Sequence, residues 1–98
     1  MAYKIEFSDE ALNNLQENLN YLFKEWSDKV AIEFIDKLYF KLELISFQPY
    51  SYSKSYSNKQ IRKCVVTKQI SLIYKIIGKK VIILSLFDTR QSPDKLKL

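Results

Sequence analysis

The chain has 98 residues, of which 47% are hydrophobic and 14% aromatic, which predicts one packed domain spanning residues 1–98. One cysteine and no histidine exclude an intramolecular disulfide, a Ser-His-Asp or Cys-His catalytic pair and a histidine-based metal site. No apolar run reaches the length of a membrane span, and the N-terminus lacks the apolar core of a signal peptide. We therefore expect a cytoplasmic protein with no membrane association, no metal and no cofactor.

The net charge of +5 is unevenly divided along the chain. Residues 1–50 carry five lysines against nine carboxylates, a net charge of −4, whereas residues 51–98 carry eleven Lys or Arg against Asp88 and Asp94, a net charge of +9. This segregation favours an acidic or polyanionic partner for the second half, either nucleic acid or a protein segment. A solvated basic surface that only serves solubility is the alternative.

The first half of the chain has the pattern of a strand followed by a helical hairpin. Residues 3–7 alternate apolar and polar, as in a half-buried strand. Ser8 and Ser27 each precede an acidic residue and apolar positions spaced three and four apart, so each is predicted to cap an amphipathic helix. The predicted buried positions are Leu12, Leu15, Leu19, Leu22 and Phe23 in the first helix and Ala31, Phe34, Ile35, Leu38, Leu42 and Ile45 in the second. Trp26, between the helices, is predicted to anchor the hinge in the core.

Three short apolar runs, residues 60–67, 69–77 and 80–87, are predicted to form an antiparallel meander in the second half. The breaks at Lys68 and at Gly78-Lys79 suit tight hairpins, and Gly78 can supply a positive φ. Alternation places Arg62, Cys64 and Val66 on one face and Ile61, Lys63 and Val65 on the other, without indicating which face is buried. In the preceding loop, Tyr50, Tyr52 and Tyr56 either stack on nucleic-acid bases or, as we favour, lie over the edge of the sheet.

Few residues in this sequence suggest catalysis. Cys64 has apolar neighbours and is predicted to be a small buried side chain rather than a nucleophile. What remains is a set of cations near strand ends, whose donors can bind a carboxylate or stabilise the charge of a phosphoryl group. These cations are Arg62, Lys63, Lys68 and Arg90.

The predicted order of one strand, two helices and three strands resembles the RelE/ParE superfamily of toxins from bacterial type II toxin–antitoxin systems. The resemblance covers nearly the whole chain and depends on five segments in order: YKIEFSDEALNNL, WSDKVAIEFIDKL, FQPYSYS, IRKCVVTKQISLIYKI and ILSLFDTRQSPDKL. It implies an α+β fold, β-α-α-β-β-β, with the helical hairpin packed on one face of a small antiparallel sheet. It also implies a cytosolic toxin that a cognate antitoxin neutralises within a toxin–antitoxin hetero-oligomer.

The resemblance implies two alternative activities for the toxin. RelE-like members cleave mRNA on the ribosome with strand cations and a C-terminal Tyr or His, whereas ParE-like members poison DNA gyrase. Here Ser71 stands where RelE-like nucleases usually have an arginine, and the tail SPDKLKL lacks the Tyr or His. These departures favour the ParE-like alternative, and a non-toxic module that only binds the antitoxin is a third. The candidate catalytic residues are Arg62 and Arg90, and those for target or antitoxin binding are Arg62, Lys63, Lys68, Arg90 and Lys95.

Overall fold

The chain folds as a helical hairpin on one face of a sheet, and the computed structural model describes residues 2–54, without the Ser53 side chain, and residues 61–88. The predicted order β-α-α-β-β-β is confirmed, with a 3-10 turn at Pro49–Ser51 and one additional two-residue strand before the meander. The elements are β1 (Lys4–Phe7), α1 (Asp9–Glu25), α2 (Asp28–Phe47), β2 (Ser53–Lys54), β3 (Ile61–Val65), β4 (Ile70–Ile77) and β5 (Lys80–Asp88). Neither helix in these ranges is long and apolar enough to cross a membrane.

The sheet has the strand order β1-β5-β4-β3-β2. Strands β3, β4 and β5 form the predicted antiparallel meander, and Gly78 has a φ of 57° in the hairpin between β4 and β5. β1 pairs in parallel with β5, so the sheet is mixed and the prediction of an entirely antiparallel sheet is corrected in this respect. The sequence pattern did not reveal this pairing because hairpin turns define only neighbours along the chain, and β1 has no hairpin partner.

Both predicted helix caps are confirmed. The Ser8 hydroxyl oxygen accepts the Ala11 N–H at 3.0 Å and donates to the Leu84 carbonyl at 2.9 Å. Ser27 accepts the Val30 N–H at 3.2 Å. Because each hydroxyl satisfies an amide that the first helical turn leaves without a partner, the caps fix where each helix begins. The second bond of Ser8 also fixes the start of α1 against β5.

The core lies between the helical hairpin and the sheet. Most of the predicted apolar positions are buried or half-buried there, but Leu12 and Phe23 are exposed, because α1 presents Ala11, Asn18 and Leu22 to the interior instead. The prediction that Trp26 anchors the hinge in the core is wrong. Trp26 is the C-cap of α1 at the tip of the hairpin, and its side chain is largely exposed.

Alternation along β3 divides its residues between the two faces of the sheet. Arg62 and Cys64 face the helices and are buried, whereas Lys63 and Val65 are exposed on the opposite face. A β-bulge interrupts the pairing of β4 with β5, since Ile73 pairs with Ser85 and the next residue, Tyr74, pairs with Ile83. The bulge lets both strands keep their apolar side chains toward the helices on either side of the irregularity.

Candidate functional site

The face of the sheet opposite the helices, called the open face below, is the candidate target surface. Because directly paired residues lie on the same face, the register defines its composition. One row contains Val65, Ser71 and Phe87, the next contains Lys63, Ile73 and Ser85, and the third contains Ile61, Lys75, Ile82 and Glu6. The open face therefore combines lysines, serines and apolar side chains with the carboxylate of Glu6.

Lys63 is the exposed cation near the centre of the open face. Its ammonium nitrogen lies 5.7 Å from the centroid of the Phe87 ring, within the range of a cation–π contact. Beside this pair, Ser71 and Ser85 are only 8% and 6% exposed, and the Ser85 Oγ has no hydrogen-bond partner in the described part of the chain. The centre of the open face thus presents one positive charge and an aromatic ring, with two buried serine side chains beside them.

The carboxylate of Glu6 is the one acidic group in the three paired rows of the open face. It lies 3.8 Å from the Lys4 ammonium and 3.4 Å from that of Lys80, on the β1 side of the sheet. The tyrosine of β4, Tyr74, faces the helices rather than the open face. The described open face therefore has no carboxylate, phenol or imidazole beside Lys63 that could take part in general acid–base chemistry.

Arg62 lies on the opposite side of β3 from Lys63. It is 9% exposed, its Nη1 donates to the Tyr50 carbonyl at 2.9 Å and to the Tyr52 carbonyl at 2.7 Å, and its guanidinium stacks at 5.0 Å on the Tyr50 ring. Arg62 thus fastens the segment after α2 to the sheet. Its Nε is buried without a partner among the described residues.

A cluster of buried titratable groups surrounds Arg62. The Tyr74 hydroxyl donates to the Pro49 carbonyl, and burial, followed by the proximity of Cys64, raises the pKa of Tyr74 well above its usual range. Burial also raises the pKa of the Cys64 thiol, against the opposing effect of Lys41 and a hydrogen bond with Tyr52. Cys64 is fully buried, as predicted, and a thiol held neutral in this way is a weak nucleophile.

This cluster predicts a loss of stability in alkaline solution. The unfolded chain releases the protons of Cys64 and Tyr74 at their ordinary pKa values of 9.0 and 10.0, before the folded chain does. The free energy of unfolding should therefore fall as the pH rises above about 9, by about 1–2 kcal/mol at pH 11. Urea titrations at several pH values measure this dependence, and Tyr74→Phe should flatten part of it. An equal slope in both proteins would contradict the assignment to Tyr74.

The structure separates the other predicted site residues. Lys68 is exposed in the turn between β3 and β4, at the end of the sheet, whereas Arg90 and Lys95 lie outside the described residues. Lys75, which the sequence analysis did not select, shares the open face with Lys63. Phe87 was also missed, because its contact with Lys63 depends on the register of three strands. The alternation of β4 was the available signal for Lys75.

A second candidate surface, called the helical cleft below, is an apolar cleft between α1, α2 and β1. Its lining is aliphatic and aromatic: Phe7, Leu12, Leu15, Leu19, Ile35, Leu38, Tyr39 and Leu42. Leu12 and Tyr39 at its rim are more than half exposed. A contiguous exposed apolar surface of this kind is typical of a site that another chain covers.

Comparison with solved structures finds the same fold in bacterial toxin–antitoxin systems. The chromosomal ParDE system from P. aeruginosa matches with a TM-score of 0.73 at 10% identity, over 89% of this chain and 96% of that chain. The DinJ-YafQ toxin-antitoxin complex from E. coli matches with a TM-score of 0.64 at 18% identity, over 92% and 96%. The RelBE2 complex from Mycobacterium tuberculosis matches with a TM-score of 0.62 at 14% identity, over 90% and 99%. The chain has a RelE/ParE-like toxin fold.

Comparisons of the sequence with protein-family models and with curated proteins find no match. The assignment of a RelE/ParE-like fold therefore depends on the comparison of structures. Ser71 is predicted, from the sequence resemblance, to replace a nuclease arginine. It lies on the open face between Val65 and Phe87. Its short hydroxyl cannot replace the charge or the donor fork of a guanidinium.

Proposed function

We propose that this chain is the toxin of a type II toxin–antitoxin system and that it is ParE-like, acting on DNA gyrase rather than cleaving mRNA. The observation that carries the choice of activity is Ser71 on the open face. RelE-like nucleases usually have an arginine there, which stabilises the charge that develops on the scissile phosphate, a contribution of about 3 kcal/mol for one such donor. The toxin–antitoxin systems among the structural neighbours support the general assignment.

The composition of the open face supports target binding. Lys63 and Lys75 supply positive charge, and Val65 and Phe87 supply apolar contact area. A surface that combines cations with aromatic and aliphatic groups is suited to a protein partner with an acidic patch. Gyrase binding needs no acid–base pair from this chain, which is consistent with the groups present around Lys63.

The helical cleft is the proposed site of the antitoxin. Its lining is apolar, so a partner helix with leucines or isoleucines on one face can fill it, with anchors spaced three and four apart. Glu43 is exposed on α2, one helical turn after Tyr39 at the rim, so a basic residue beside those anchors would be favoured. An antitoxin helix in this cleft would not cover the open face, which lies on the opposite side of the molecule. The open face would then be free or covered by another segment of the antitoxin.

A RelE-like nuclease is the second candidate function. Lys63 and Lys75 on one face can bind phosphates, and ribosomal groups could supply proton transfer. Lys68, Arg90 and Lys95 remain predicted contacts of the target or the antitoxin in either case. A non-toxic module that only binds the antitoxin is the third alternative.

Induction of the chain in a bacterial host without its antitoxin distinguishes the three functions. We expect growth to stop and chromosomal DNA breaks to appear before bulk mRNA declines. Rapid loss of mRNA with intact DNA would instead identify the RelE-like activity, and unchanged growth would identify the non-toxic module.

Arg90→Ala is expected to reduce toxicity while the variant still folds, which circular dichroism and thermal unfolding of the purified variant would check.

A further inference from the structure

The outer side of α2 carries an apolar stripe that the fold does not use. Phe40, Leu44 and Phe47 are 59%, 39% and 62% exposed, although they are spaced four and three residues apart on one side of the helix. The core side of the same helix is formed by Ala31, Phe34, Leu38 and Ile45. The three residues Phe40, Leu44 and Phe47 are called the outer stripe below.

The outer stripe is separate from the helical cleft. The cleft uses Ile35, Tyr39 and Leu42 of α2, and successive residues of a helix point about 100° apart. Phe40 is therefore turned away from Tyr39, and Leu44 is turned away from the cleft side occupied by Leu42. A helix bound in the cleft would leave the outer stripe in water, so the stripe requires a different occupant.

The residues beside the outer stripe indicate which occupant fits. The spacing of Phe40, Leu44 and Phe47 is that of positions d, a and d of a heptad. Asp36 and Glu43 then occupy g positions on one flank, and Lys41 occupies the e position on the other. Neither Asp36 nor Glu43 forms a salt bridge with another described residue. One flank of the stripe is acidic and the other is basic.

We propose that a second copy of this chain binds the outer stripe, with the two α2 helices parallel about a twofold axis. In this arrangement the outer stripe of one copy packs on the outer stripe of the other. The twofold axis brings the acidic flank of one helix against the basic flank of the other. A g position pairs with the e position five residues further along the partner helix, so Asp36 of each copy faces Lys41 of the other.

An antiparallel pair of α2 helices is disfavoured by the same charges. A twofold axis perpendicular to the helices brings equivalent flanks together, so Asp36 and Glu43 would face the carboxylates of the other copy. The seam is also short, because Glu33 and Lys37 occupy the preceding d and a positions. It is confined to the C-terminal half of α2, and we expect a dimer that dissociates on dilution.

Analytical ultracentrifugation of the purified full chain, made by cell-free synthesis to avoid toxicity, tests the proposal. The weight-average mass should rise from 11.7 kDa toward about twice that value with increasing concentration. Phe40→Asp should weaken dimerisation roughly tenfold or more. Ile32→Asp is the matched control on the same helix, at a position that is similarly exposed (54%) but away from the stripe, and it should dimerise like the parent chain. A mass of 11.7 kDa at every concentration, or equal effects of both variants, would overturn the proposal.

Charge reversal tests the orientation of the two helices. Asp36→Lys and Lys41→Asp should each weaken the dimer roughly threefold, and the double variant should recover the parent dissociation constant. In an antiparallel pair, Asp36→Lys would instead strengthen the dimer, which would overturn the parallel arrangement.

Because the proposal does not depend on toxicity, growth inhibition by Phe40→Asp is expected to match that of the parent chain. A monomeric parent chain that still stops growth would refute the dimer and leave the proposed function standing.

Discussion

Replacement of Arg62 by alanine is expected to lower the free energy of unfolding by about 3 kcal/mol, because it removes a buried cation that holds two carbonyl groups. Without Nη1, the Tyr50 and Tyr52 carbonyls lose their donor, and the Tyr50 ring loses the guanidinium on which it stacks. Residues 48–52, which follow α2, should then detach from the sheet. Urea unfolding followed by circular dichroism measures the change.

Lys63→Ala is the matched control for Arg62→Ala. It removes a neighbouring cation on the same strand, but one that is exposed on the open face, so the free energy of unfolding should change by less than about 1 kcal/mol. Arg62→Lys should recover only part of the stability, since one ammonium cannot reproduce the planar donor fork of Arg62. Equal stability of the two alanine variants would contradict the structural role assigned to Arg62.

Lys63→Glu is expected to abolish growth inhibition while leaving the protein folded. The substitution reverses the charge beside Phe87 on the open face, and a reversed charge facing an acidic partner costs several kcal/mol of binding. We therefore expect at least a roughly hundredfold loss of affinity for the target. Colony counts after induction measure toxicity, and thermal unfolding verifies that the variant is folded.

The control for Lys63→Glu is Lys29→Glu, which makes the same charge change at an exposed position near the start of α2. It lies on the helical side of the molecule, so toxicity should persist. A loss of toxicity in both variants would assign the effect to net charge rather than to the open face. Persistent toxicity of folded Lys63→Glu would remove Lys63 from the target surface.

Local sequence signals were sufficient for much of the fold. The serine caps, the helical spacing and the single glycine each determine a structure within a few residues, and Ser8, Ser27 and Gly78 were placed correctly for that reason. The parallel pairing of β1 and the exposure of Trp26 depend on how distant elements pack. No local pattern specifies such packing.

The candidate site was less predictable than the fold. Alternation separated Arg62 from Lys63, but it could not identify the buried face, because both faces of β3 carry a cation and apolar residues. Burial of Arg62 is made possible by the carbonyls of Tyr50 and Tyr52, which lie twelve and ten residues away, respectively. The bond from Tyr74 to Pro49 and the contact of Lys63 with Phe87 likewise depend on tertiary structure.

The most direct test of the central claim combines the purified chain with DNA gyrase and supercoiled plasmid. We expect the parent chain to cause linear DNA to accumulate through trapped gyrase cleavage complexes, and folded Lys63→Glu not to do so. Arg62→Lys, if folded, should retain the activity, because Arg62 faces the helices. Plasmid that gyrase processes normally in the presence of the folded parent chain would rule out gyrase as the target.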